Sequence, residues 1–260
     1  MSTADRDWIE LWYQRLTAEF GREVVRRPVA LPTPDFVPSA EGGTEARTRI
    51  ALPRVCAVMD VDPDRFEITF FTPKERRAGG GRSRHRVGEY ARHYRASKLA
   101  PVDGTRKAET IGVAVDDTCP PVTLVATLGH EVAHARLLGE RRGGFDGPEH
   151  ENITDLATVF FGMGVFTANT NAGFTRASRA GAWAAAPLGD FDDNTLNGVH
   201  YFGVRRLGYL GVAQLGYALA CHCWLRGELD PPWARYVAAE PRAALHQGIA
   251  YLRHRTGHHD

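Results

Sequence analysis

The chain has 260 residues, 43% hydrophobic and 24% charged, the balance of a globular protein with enough length to bury a substantial core. Its 32 basic residues nearly cancel its 31 acidic ones, which argues against a broadly basic nucleic-acid binder. No run of 18 apolar residues is present to span a membrane, and MSTADRDWIELWYQRL lacks the basic-then-apolar order of an export signal, so a soluble, cytoplasmic protein with reduced cysteines is expected.

In chain order, residues 7–20 carry Trp8, Ile9, Leu11, Trp12, Leu16 and Phe20 at helical spacing, and Gly21 ends that pattern. Trp8, Trp12 and Tyr13 are expected in the core. The Pro-rich passage RRPVALPTPDFVPSAEGG reads as an irregular connection, and residues 47–60 suit either helix or strand. RFEITFFT, residues 65–72, alternates like a strand. KERRAGGGRSRHR, residues 74–86, reads as a solvated loop, and GEYARHYRASKLA after it as a short helix. ETIGVAVDD, residues 109–117, reads as a second strand, after which Pro120 and Pro121 open a helix. From about residue 149 the chain reads as helical. HENITDLATVFFGMGVFTAN forms one long pattern, YFGVRRLGYLGVAQLGYALACHCWLRGE two helices, and EPRAALHQGIAYLRHR a last one.

The helix opened by the two prolines carries His130-Glu131-x-x-His134. Residues four apart share a helix face, so the two histidines can offer nitrogens to one metal ion. Glu131 lies about 100° around and is better placed to take a proton from a metal-held water than to ligate. Val122, Val125, Leu128, Val132 and Leu138 make this helix apolar, and buried His and Glu without partners would be costly. Zinc held by two histidines wants a third protein ligand. Downstream, Glu151 and Asp155 are again four apart. One can ligate, and the other can accept the second N–H of a ligating histidine. Glu149 and His150 are the rival third ligands. The continuation HExxHxxGxxH fails, since its Gly and last His places hold Leu137 and Glu140.

HExxH followed by E-x-x-[A/S/T]-D resembles the gluzincin zinc metallopeptidases, the class that includes thermolysin. The resemblance spans about 30 residues, Ala126 to Asp155. It implies His130, His134 and Glu151 as zinc ligands, Glu131 as general base and Asp155 as the carboxylate orienting a ligand histidine. It also implies that the strand before the active helix, here ETIGVAVDD, is a sheet edge that binds extended peptide.

The expected fold is α+β and zincin-like, with a small mixed sheet and an active-site helix against a mostly helical C-terminal half. Residues 1–260 would form one domain, divided into an N-terminal lobe (1–117), active-site helices (118–168) and a helical lobe (169–260). The expected activity is zinc-dependent hydrolysis of a peptide or small amide, with neither nucleic acid nor membrane as partner and the oligomeric state open. A metal-dependent enzyme acting on a small molecule, and a structural zinc protein with a closed site, are the alternatives. The transition-state donor is sought among His200, Tyr201, Arg205, Arg206 and Tyr209, with His200 and Tyr201 preferred. Cys221-His222-Cys223 reads as buried helix, because residues i and i+2 do not converge. The acidic turn of Asp190, Asp192 and Asp193 reads as a solvated loop, and the His-rich end HRTGHHD as a disordered terminus.

Overall fold

The computed structural model describes residues 1–39, 41–71, 88–91, 109–116, 119–139, 144–179 and 209–257, with backbone alone for 88–91 and 174–179. These residues form seven α-helices and a three-stranded sheet, a helix-rich α+β arrangement.

Helix α1 spans Thr3–Phe20, longer at its start than the apolar pattern. Ser2 caps it, accepting from the Asp5 backbone while the Asp5 carboxylate accepts from the Ser2 backbone at 2.8 Å. Trp12 and Tyr13 are buried as expected, and Trp8 packs partly buried on the same core. The ambiguous stretch resolves as α2, Gly43–Met59. Its buried positions Thr48, Ala51, Leu52, Val55, Cys56 and Met59 repeat with the helical period, while Pro53 faces outward.

The sheet has the order β1-β3-β2. Strand β1 (Phe66–Phe71) alternates half-buried Phe66, Ile68 and Phe70 with exposed Glu67 and Thr69. It runs parallel to β3 (Glu109–Ala114), with Phe66 opposite Glu109. Strand β2 (Gly88–Ala91) runs antiparallel on the other side of β3, with Gly88 opposite Val113. Two expectations change here. The start of GEYARHYRASKLA is strand rather than helix, because it completes the backbone hydrogen bonding of β3. And β3 is the central strand, paired on both sides, so it offers no edge to a peptide. Among the described residues the outer edges belong to β1 and β2.

Helix α3 (Pro121–His134) starts with Pro121 at its first position and passes into a π-helical turn, Ala135–Gly139. Nearly all of α3 is buried, because it packs against α2, α4, α5 and β2 at once. Each fully buried aliphatic such as Val125, Leu128 or Val132 contributes about 1.5–3 kcal/mol. The return towards α4 (His150–Phe160) is pinned by Phe145, whose ring lies 5.9 Å from Trp12 and 6.3 Å from Phe20.

The long pattern from His150 is two helices. It breaks at Gly162, whose φ of +91° ends α4 before α5 (Gly164–Arg179) begins. A Cβ there would also come 3.1 Å from the Pro28 carbonyl oxygen. Beyond residue 208 the chain forms α6 (Val212–Arg226) and α7 (Ala239–Arg255), which pack closely because Gly216 and Gly248 lie at the contact. One apolar core draws residues from β3 and all seven helices. No helix among the described residues is long and apolar enough to cross a membrane.

Candidate metal centre

The site forms where the last turn of α3 meets the first turn of α4. His130 and His134 project from one face of α3, one turn apart, with ring centroids 4.8 Å from each other. Glu151 comes from the facing turn of α4. Its Oε2 lies 3.2 Å from His130 Nε2 and 3.1 Å from His134 Nε2. One ligand atom from each of the three residues falls within 4.8 Å of the others. Tetrahedral zinc donors at their usual bond lengths lie about 3.3 Å apart, so the spacing suits such an ion.

The far nitrogens decide which way the imidazoles face. His130 Nδ1 lies 3.0 Å from Asp155 Oδ1, and a carboxylate accepts. That interaction keeps the His130 proton on Nδ1. His134 Nδ1 lies 3.2 Å from Thr154 Oγ1, whose single proton is donated to the His150 carbonyl at 2.7 Å. The hydroxyl oxygen is thereby left to accept from His134 Nδ1–H. Two Nε2 lone pairs and a carboxylate oxygen then converge on one point. Three electron-pair donors so close together repel unless a positive charge lies among them, and that is the chemistry of a cation site.

The protonation balance has the same sense. Burial alone would lower the His130 pKa, but the hydrogen bonds to Asp155 and Glu151 outweigh it and raise it to about 10. Burial dominates at His134 and lowers it to about 4. Burial would raise Glu151, yet its contacts with both histidines hold it well below the usual carboxylate range. The cluster thus favours one positive charge, and a proton on His130 supplies it where no ion does.

Asp155 is 1% exposed and works on two sides. Its second oxygen accepts from the backbone N–H of Tyr209 and, at 3.0 Å, from that of Leu210. The Leu210 carbonyl in turn accepts from Asn171 Nδ2 at 2.8 Å. The chain entering α6 is therefore tied to the histidine it stands beside. Tyr209, half exposed, stacks its ring on His130 at 6.1 Å between centroids.

Glu131 is 5% exposed and one residue on from His130, near enough for its charge to favour protonated His130. Of the rival third ligands, Glu149 turns away and accepts from Trp8 Nε1 at 3.0 Å. His150 stays close, with Nε2 3.3 Å from Glu151 Oε1. His200, Tyr201, Arg205 and Arg206 lie outside the described residues, as do the loop 74–86, the acidic turn 190–193 and the terminal His258 and His259, whereas His254 lies in the last turn of α7. Cys221, His222 and Cys223 are buried within α6 and form no metal cluster among the described residues. Burial pushes the Cys56 and Cys119 thiols up to about 12, and those of Cys221 and Cys223 upward as well, so all four are poor nucleophiles.

Sequence pattern alone does not point to Thr154 or to the Tyr209–Leu210 backbone. Thr154 did leave a signal, as a hydroxyl residue one place before the paired carboxylate. Backbone donors more than 50 residues away leave none. Compared with known proteins, the chain matches no family model, no curated protein and no solved structure.

Proposed function

We propose that this chain is a metal-dependent hydrolase with a gluzincin-like, zincin-type site, using zinc to cleave an amide and most favourably a peptide bond. The observation that carries the reading is the convergence of His130 Nε2, His134 Nε2 and Glu151 Oε2, with an accepting group behind each imidazole. Two imidazoles and a carboxylate are the donor set of catalytic zinc, which leaves a position for a reactant. Asp155 and Thr154 keep the ligand nitrogens aimed inward.

Zinc, when bound, supplies a Lewis acid that makes water nucleophilic near neutral pH and polarises a carbonyl. Glu131 takes the proton of the attacking water and delivers it to the leaving nitrogen. Its burial shields that proton from bulk solvent. Water itself attacks, so no side chain forms a covalent bond to substrate. An extended peptide would add to the outer edge of β2, the strand that adjoins α3. Tyr209 forms an aromatic wall against His130 on the exposed side of the site.

Partial exposure of the His130 and Glu151 side chains, 20% and 24%, favours an open site over a closed structural one. The nearness of His150 favours the closed alternative, with His150 as a fourth ligand. The two part on Glu131→Gln. In a hydrolase this variant keeps its zinc and loses cleavage of a peptide library under zinc-replete conditions. A closed site gives a wild type that cleaves nothing.

A further inference from the structure

We infer that Thr154 is a positioning residue that holds His134 in its metal-facing tautomer through its hydroxyl, as Asp155 does for His130. The inference rests on the metal-site reading above. An imidazole that presents Nε2 to a cation carries its proton on Nδ1, and a buried N–H needs an acceptor. His134 is buried, and the oxygen 3.2 Å from its Nδ1 is the Thr154 hydroxyl. That hydroxyl is 0% exposed and already donates to the His150 carbonyl one turn back, at 2.7 Å. A threonine bonded in this way has no second proton to give. Towards His134 it can only accept, so it selects one tautomer.

The arrangement follows from the spacing on α4. Residues 150, 151, 154 and 155 occupy one face, as i, i+1, i+4 and i+5. Glu151 supplies the ligand, and Asp155 and Thr154 stand behind His130 and His134. His150 lends its carbonyl to fix the Thr154 rotamer. One turn of helix therefore serves both histidines of α3. The two acceptors differ in strength: His130 has a carboxylate behind it, His134 a neutral hydroxyl.

The test compares wild type, Thr154→Val and Thr154→Ser. Zinc affinity is read by competition with a chromophoric chelator. The His134 Nδ1–H is read in ¹⁵N-histidine-labelled, zinc-loaded protein. Valine keeps the shape of threonine and removes only the hydrogen-bonding oxygen. The wild type is expected to show a protected, hydrogen-bonded His134 Nδ1–H. Thr154→Val is expected to lose that protection and bind zinc about 10–100-fold more weakly, and Thr154→Ser to restore both. A Thr154→Val protein with wild-type affinity overturns the inference and leaves the metal site standing. Equal weakening in Thr154→Ser also overturns it, since packing and not the hydroxyl would then be responsible. A zinc-loaded wild type whose His134 Nδ1–H is unprotected overturns it even where the valine variant does not fold. A wild type that takes up no zinc removes the metal-site reading itself.

Discussion

Asp155 Oδ1 lies 3.0 Å from His130 Nδ1, while its other oxygen accepts two backbone N–H groups at the entrance to α6. A single buried carboxylate thus orients His130 and anchors a distant segment. An amide cannot do both. If Asp155→Asn turns its oxygen to the Tyr209 and Leu210 N–H groups, its NH₂ faces His130 Nδ1. The imidazole must then accept there and carry its proton on Nε2, the nitrogen that faces Glu151. Zinc affinity is expected to fall about 10–100-fold, as measured by chelator competition. Wild-type affinity in Asp155→Asn would remove Asp155 from this role.

Glu131→Gln separates binding from chemistry. The amide keeps the size of the side chain and cannot take a proton. Zinc content should stay at the wild-type level while turnover falls by about 10²–10⁴-fold. Loss of metal together with activity would assign Glu131 to the ion instead.

His222 predicts an acid sensitivity independent of the candidate metal centre. It is 1% exposed, and neither ring nitrogen has a hydrogen-bond partner among the described residues. Burial, reinforced by the Arg226 charge, lowers its pKa from 6.5 to about 3. The folded pKa therefore lies below the unfolded one. Above about pH 6.5 both states are neutral and stability is full. Between 6.5 and 3 the unfolded chain takes up a proton that the folded one refuses, and stability falls by about 1.4 kcal/mol per pH unit. Denaturant melts of His222→Leu across this window should have a shallower slope than wild type. Parallel slopes would mean that His222 titrates normally in the fold.

Gly216 sets the spacing of α6 and α7. A Cβ there would lie 2.5 Å from the Pro241 carbonyl oxygen and 2.4 Å from Ala244 Cβ. Alanine ordinarily stabilises a helix interior by about 1 kcal/mol relative to glycine. Here the obstacle is partly backbone and cannot rotate away, so overpacking should prevail. Gly216→Ala is expected to be less stable by about 1–3 kcal/mol, read as a lowered Tm. A raised Tm would mean the helices separate without cost.

The legible parts of the sequence were those with local causes. The helical period of α1, the proline start of α3 and the four-residue spacings His130–His134 and Glu151–Asp155 each follow from one element's geometry. Pro53 obscured α2, although the stripe Thr48, Ala51, Leu52, Val55, Cys56 and Met59 was present all along. The break at Gly162 was hidden in an unbroken apolar run, because periodicity does not register a change of helix axis. Local pattern reads the start of β2 as helix and the family resemblance puts β3 at an edge, since pairing depends on partners that neither names. Thr154 acts through a hydroxyl oxygen that becomes meaningful only once His134 faces it.

If His130, His134 and Glu151 hold one divalent ion, metal analysis of the purified protein will count it. Purified wild type and Glu151→Ala are equilibrated with dilute zinc, freed of excess and measured for metal per chain. One zinc per wild-type chain and a marked loss in Glu151→Ala are expected. A wild-type chain without stoichiometric metal would rule out the shared site, and full retention in the variant at unchanged affinity would remove Glu151 from it.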